Sequence, residues 1–274
     1  MELLICIAVS IILSILGGWI FALWIWSIFI ATLLSSYYVR IAKRSDAILA
    51  MYVIYLALSQ IIAAKIVKLT ILDYTFIVPA AVLIFPFTVQ LTDMVNEYFG
   101  RMETHRMIFI AFVTQVLMSF FLWMSVIMTP FEMWMTELGG PEVGQKFWET
   151  IFFSSIRITI ASWTSFLIVE NLDAIVFAKI REITGQKHLW IRSVFSDVPM
   201  LALDSFIFVT LAFYGVVPLD VIFLMIYGQV MTKWFSGVID TPFIYLERWV
   251  VESDFSWLRK LTIRFPFMRV KKFS

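Results

Sequence analysis

The chain has 274 residues, of which 61% are hydrophobic, 17% aromatic and only 15% charged, and its formal net charge is +1. Soluble domains carry about a quarter charged residues, enough to give a core a polar cover. Here the charges are bunched, and runs of 18 to 37 uncharged residues lie between the bunches. This excludes a soluble globular domain, and the near-neutral balance argues against a nucleic-acid partner.

Runs of ~18 or more apolar residues read as transmembrane helices, because ~20 residues cross the hydrocarbon core. The expected fold class is therefore an all-α polytopic membrane protein in the lipid bilayer. Residues 3–39 carry no charge. As one straight helix they would extend about 55 Å at ~1.5 Å per residue, against a core of ~30 Å. "LGGW", Leu16 to Trp19, offers a break, so two spans are expected there, about 3–17 and 19–39. The following spans are expected at about 47–67, 73–92, 107–129, 149–178, 193–215 and 218–246, which makes about eight. The single cysteine, Cys6, lies in the first run, so no internal disulfide is possible. That run begins with Glu2 and is longer than the ~7–15 apolar residues of a cleaved signal.

Lys and Arg excess marks cytoplasmic loops. Arg40, Lys43 and Arg44 follow the second span; Arg101, His105 and Arg106 follow the fourth; Lys179, Arg181, Lys187 and Arg192 follow the sixth. The stretch after the eighth holds Arg248, Arg259, Lys260, Arg264, Arg269, Lys271 and Lys272, whereas Glu132, Glu137 and Glu142 make the loop between spans five and six acidic. Both termini are expected in the cytoplasm, in a multi-pass cell-membrane protein. Lys65 and Lys68, at the outer end of span three, break the pattern; they could snorkel, or Lys65 could point inward.

The stretch "LTDMVNEYFGRMETHR" ends the fourth span, and Asp93, Asn96 and Glu97 share one helical face at i, i+3 and i+4. It reads either as a solvated helix end stopped by Gly100 or as one wall of a site. Further ionisable groups lie inside the spans: Arg157, Glu170 and Asp173 in the sixth, Asp197 and Asp204 in the seventh, Lys233 and Asp240 in the eighth. A charge at the bilayer centre costs ~2.5–3.5 kcal/mol even on lenient scales, so Arg157, Asp204 and Lys233 must face one another or a wet cavity. Buried ion pairs locking helices would explain any one pair; for the whole set a ligand or ion pathway is the better reading. Gln90 before Asp93, Ser162 and Thr164 after Arg157, and Thr232 beside Lys233 fit a cavity. Asp93, Glu97, Glu170 and Asp173 facing one another would repel, so at least one would hold a proton or pair with a cation or base. His105 and His188 are isolated and form no metal site with Cys6, and no phosphate loop, nucleophile elbow or HExxH helix is present, so nothing supports an enzyme.

"FPFTVQLTDMVNEYFG" resembles the signature of the queuosine precursor transporter family, also called the vitamin uptake transporter family. "RITIASWTSFLIVENLDAIVFAKIRE", "WIRSVFSDVPMLALDSFIFVTLAFYG" and "KWFSGVIDTPFIYL" resemble its later segments, in order, from about residue 47 to 247. The chain departs from the pattern at Lys65, at Leu201 and at the Glu170–Asn171 pair. The resemblance implies a six-helix transporter core over 41–247, preceded by a transmembrane hairpin over 1–40 and followed by a basic tail over 248–274. It also implies import of a queuosine or archaeosine precursor, a small-molecule 7-deazapurine base of the 7-deazaguanine type or queuine. Its implied site residues are Asp93, Asn96, Glu97, Arg157, Asp173, Asp204 and Lys233; Gln90 and Glu170 join them as substrate-binding candidates from their positions. No cofactor is implied, H+ or Na+ coupling is open, and a homodimer is conceivable. The alternatives are a membrane substrate-binding component of a larger vitamin importer and a transporter of another small heterocycle.

Overall fold

The computed structural model describes residues 2–62, 65–71, 74–152, 156–184, 189–215 and 218–252. The helices are α1 (Glu2–Ala42), α2 (Asp46–Ile62), α3 (Phe85–Phe99), α4 (Arg101–Ile127), α5 (Pro141–Phe152), α6 (Ile156–Thr184), α7 (Leu189–Phe213) and α8 (Leu219–Glu252). Trp19–Ala42 of α1, Arg101–Ile127 and Ile160–Ile183 are long and apolar enough to cross a membrane.

One expectation is corrected: the run 73–92 is not one span. The fold is helical apart from one short hairpin among the described residues. Ile66–Ile71 (β1) and Tyr74–Pro79 (β2) pair as an antiparallel hairpin, with Ile71 opposite Tyr74 and Ile66 opposite Pro79. "IVKLTI" and "YTFIVP" are dominated by β-branched and aromatic residues, which suit a pleated strand. An uncharged run shows apolarity without period, so it hides such a switch. Lys65 sits exposed in the bend before β1, so the inward-pointing alternative for it does not hold. A single 3-10 turn, Ala80–Leu83, then leads into α3. Counted as drawn, the eight spans therefore do not stand.

In α1 the helical assignment continues through Leu16–Trp19 without a gap. The helix is nevertheless not straight. The Cys6 thiol donates to the Pro242 carbonyl at 3.0 Å, and Arg40 Nη1 donates to the Val250 carbonyl at 3.1 Å. Those carbonyls, eight residues apart on α8, are separated by about 12 Å along its axis, whereas a straight α1 would hold Cys6 and Arg40 about 51 Å apart. The long Arg40 side chain closes only a few ångströms of that gap. The helix must double back between the two residues, and Gly17–Gly18 is the kind of pair at which helices bend sharply.

α3 owes its limits to two residues. Pro86 occupies the first turn, where a missing N–H costs nothing, and Gly100 at φ 85° closes the last, its N–H returning to the Val95 and Asn96 carbonyls. Two buried clusters hold the helices together. In one, Phe21, Trp24, Ile25 and Ile28 of α1 pack on Ile239, Phe243 and Leu246 of α8 and on Phe87 of α3. In the other, Ile48 and Tyr52 of α2 pack on Leu91, Met94 and Val95 of α3 and on Met107 and Ala111 of α4. On α4, Thr104, Met107, Ile108, Ala111 and Gln115 form the buried stripe at helical spacing, while Phe109, Leu117, Phe120 and Phe121 point outward. An apolar outer face of this kind suits lipid rather than water. α8 continues to Glu252, past the boundary expected at 247, and the rest of the expected basic tail, 253–274, lies outside the described residues.

Candidate functional site

α3 sits between α1, α2, α6 and α8, so each of its faces meets a different neighbour. Gln90 faces α1: its Nε2 donates to Thr32 Oγ1 at 2.8 Å, and the Thr32 hydroxyl donates on to the Ile28 carbonyl at 2.8 Å. Gln90 therefore ties α3 to α1. Asn96 faces α6, where Nδ2 donates to the Ala174 carbonyl at 2.8 Å. Glu97 pairs with Arg181 of α6 at 3.3 Å, and the same guanidinium donates to the Asn96 carbonyl at 3.2 Å. Asp93 is 6% exposed and Asn96 1%, so the end of α3 is buried although Gly100 terminates it as a helix stop. The solvated helix end is not what the chain builds.

α6 turns Ser165, Glu170 and Asp173 toward the interior, the last two at i and i+3 on one face. Glu170 Oε2 accepts from the Tyr52 hydroxyl of α2 at 2.8 Å, with Thr92 Oγ1 of α3 farther off at 3.4 Å. Asp173, 8% exposed, lies within electrostatic reach of both Glu170 and Tyr52, and Asp204 of α7 within reach of Glu170. Ser165 donates to Asp204 Oδ1 at 2.6 Å, and Lys233 of α8 forms an ion pair with Asp204 Oδ2. On the outer side of α6, His105 Nδ1 meets Asn171 Oδ1 at 2.6 Å. Since Asn171 Nδ2 is spent on the Leu167 carbonyl, the oxygen assignment makes the imidazole the donor.

Asp204 and Lys233 are thus brought together, with Glu170 and Asp173 nearby, while Gln90 and Glu97 are turned to other partners. The Arg157 and Asp197 side chains lie outside the described residues, as does that of Thr232. Thr164 spends its hydroxyl on the Ile160 carbonyl. Two participants escaped the sequence reading: Tyr52 and Ser165. Ser165 was findable, because 165, 169 and 173 fall on one row of α6 and all three are buried. Tyr52 carried no signal, being one aromatic among many.

Several helices long and apolar enough to span, an apolar outer face and a buried seam of carboxylates define a multi-pass membrane protein of the transporter class. The chain belongs to the vitamin uptake transporter family: residues 79–247, more than half of it, match the family model described as "Putative vitamin uptake transporter". This is a family of transporters, not of enzymes. The chain is 26% identical over 164 residues to a protein of Bacillus subtilis named "Probable queuosine precursor transporter", a match covering 60% of this chain and 68% of the relative. A Haemophilus influenzae protein of the same name is 28% identical over 142 residues, covering 52% of this chain and 54% of the relative. No solved structure matches the chain significantly.

Proposed function

We propose that the chain imports a 7-deazaguanine-type base, driven by an ion gradient, with both termini in the cytoplasm. The observation that carries this reading is the gathering of buried carboxylates beside α6. Glu170 and Asp173 lie near Asp204, which pairs with Lys233. A deazaguanine presents N1–H beside a 2-amino group, and one carboxylate accepts from both in a bidentate, charge-assisted pair. Such pairing strengthens where water is scarce. In this reading Glu170 and Asp173 accept from the base, and Asp93, Asn96 and Arg157 complete the proposed wall. The relatives' printed names support the substrate class.

The test is uptake by the purified protein alone in liposomes, with 7-deazaguanine bases, guanine and unrelated vitamins as competitors. The reading expects saturable uptake of a 7-deazaguanine base. Binding without uptake would make the chain the substrate-binding component of a larger importer. Binding of only some other heterocycle would overturn the substrate class.

A further inference from the structure

α8 holds a buried acidic pair that the seam along α6 does not use. Asp240 is 3% exposed and Glu247 5% exposed. They are seven residues apart, so both lie in the buried stripe of Ile239, Phe243, Ile244, Leu246 and Val250 that packs α8 against its neighbours. Asp240 Oδ1 accepts no hydrogen bond from any described residue. An uncompensated carboxylate in such a place costs several kcal/mol, so the site needs a positive partner.

The surroundings supply few. From α1, Cys6 spends its thiol on Pro242 and Arg40 reaches the Val250 carbonyl, ten residues beyond Asp240. From α3, Glu97 acts on Glu247 and itself pairs with Arg181 of α6, and Tyr98 adds a phenol near Glu247. From α7, Asp204 holds Lys233, a helix heptad before Asp240. Arg248, on α8 itself, pairs with Glu252.

The backbone adds a second element. Pro242 lies inside α8, and a proline there has no N–H for the carbonyl four residues back, that of Val238. The Val238 carbonyl thus lacks its helical donor in the same turn of α8 that carries Asp240. A buried acid on a proline-weakened turn of a membrane helix is a place where a coupling ion can be held.

We propose that Asp240, on the turn of α8 that Pro242 weakens and with Glu247 one heptad on, holds the monovalent cation, H+ or Na+, whose gradient drives transport. This inference rests on the transport reading above and separates the coupling site on α8 from the substrate seam on α6.

The experiment compares wild type, Asp240→Asn and Pro242→Ala in liposomes. Substrate exchange with no gradient is measured beside accumulation under an imposed proton or sodium gradient. In Asp240→Asn, exchange persists while the accumulation ratio falls to about 1, the value for zero coupling. Pro242→Ala keeps the charge and restores the helical donor, so it weakens coupling should Asp240→Asn fail to fold. A readout independent of substrate is thermal stability of the purified protein: the cation that binds stabilises wild type by an amount that rises with the logarithm of its concentration above Kd, and Asp240→Asn loses this. Dependence on sodium against choline identifies Na+, and dependence on pH alone identifies H+. If wild type neither exchanges nor accumulates a deazaguanine, the transport reading fails. If it accumulates the base and both variants accumulate it equally, the coupling site is overturned.

Discussion

Replacing Lys233 by Met tests whether α7 and α8 are held together by charge. The ammonium pairs with Asp204 Oδ2, and the two side chains are 13% and 25% exposed. Removing one partner of a fully buried pair costs about 3–5 kcal/mol, chiefly because the other charge is stranded. Here Asp204 retains the Ser165 hydroxyl on Oδ1 at 2.6 Å, and a quarter of its surface is open. Both facts place the loss near the lower bound, about 3 kcal/mol, or a roughly 150-fold change in the unfolding constant. Asp204→Asn strands the ammonium instead and costs a similar amount. The double variant strands neither, so its cost falls about 2 kcal/mol short of the sum of the singles. Equilibrium unfolding in mixed SDS–detergent micelles measures all three against wild type. If the single costs add within about 0.5 kcal/mol, the pair contributes no interaction energy and the reasoning is wrong.

Asp93→Asn and Glu97→Gln keep shape and remove charge: uptake falls sharply for Asp93→Asn at constant membrane level, while Glu97→Gln costs under about 1 kcal/mol because its partner Arg181 is a third exposed. Normal transport by both variants would move the search for the site deeper, toward Asp204. Tyr52→Phe removes the hydroxyl that donates to Glu170 and destabilises by about 1.5–3 kcal/mol in the same unfolding assay, the range for hydrogen bonds to charged groups; no change would detach Tyr52 from the seam. Asp46, the first residue of α2, has its carboxyl held below the usual range by the Tyr38 hydrogen bond, with smaller contributions from the Ala47 N–H and Arg44. A lowered acid stabilises the fold above its unfolded value of about 3.9 and loses that contribution as pH falls through the folded value, so Asp46→Asn matters at neutral pH and ceases to matter at strongly acid pH. Cysteine labelling in spheroplasts, in a background lacking Cys6, reaches a cysteine near 139 from outside and cysteines near 43 and 103 only from inside; the reverse pattern inverts the topology.

Much of the helical framework was legible because ~20-residue apolar runs have few other meanings. The limits of α4, α6, α7 and α8 fall within several residues of the runs that define them. The hairpin over 66–79 was not legible, since composition alone does not tell an apolar strand from a slice of an apolar helix. At the site, charges in apolar runs announce themselves, and Asp204 with Lys233 was found that way. What sequence could not assign was direction: Gln90 and Asn96, six residues apart on α3, serve different neighbours. Only the packing of α1 and α6 on different sides of α3 decides which is which.

The folded-back α1 leaves the protein's only thiol on the carbonyl of the proline inside α8. Cys6 is 1% exposed there, so a maleimide cannot reach it while that contact stands. If α8 shifts as the carrier turns over, the sulfur is uncovered, and its alkylation rate becomes a clock for that motion. The native chain thus carries a built-in chemical reporter on its proline-bearing helix, readable without introducing a label.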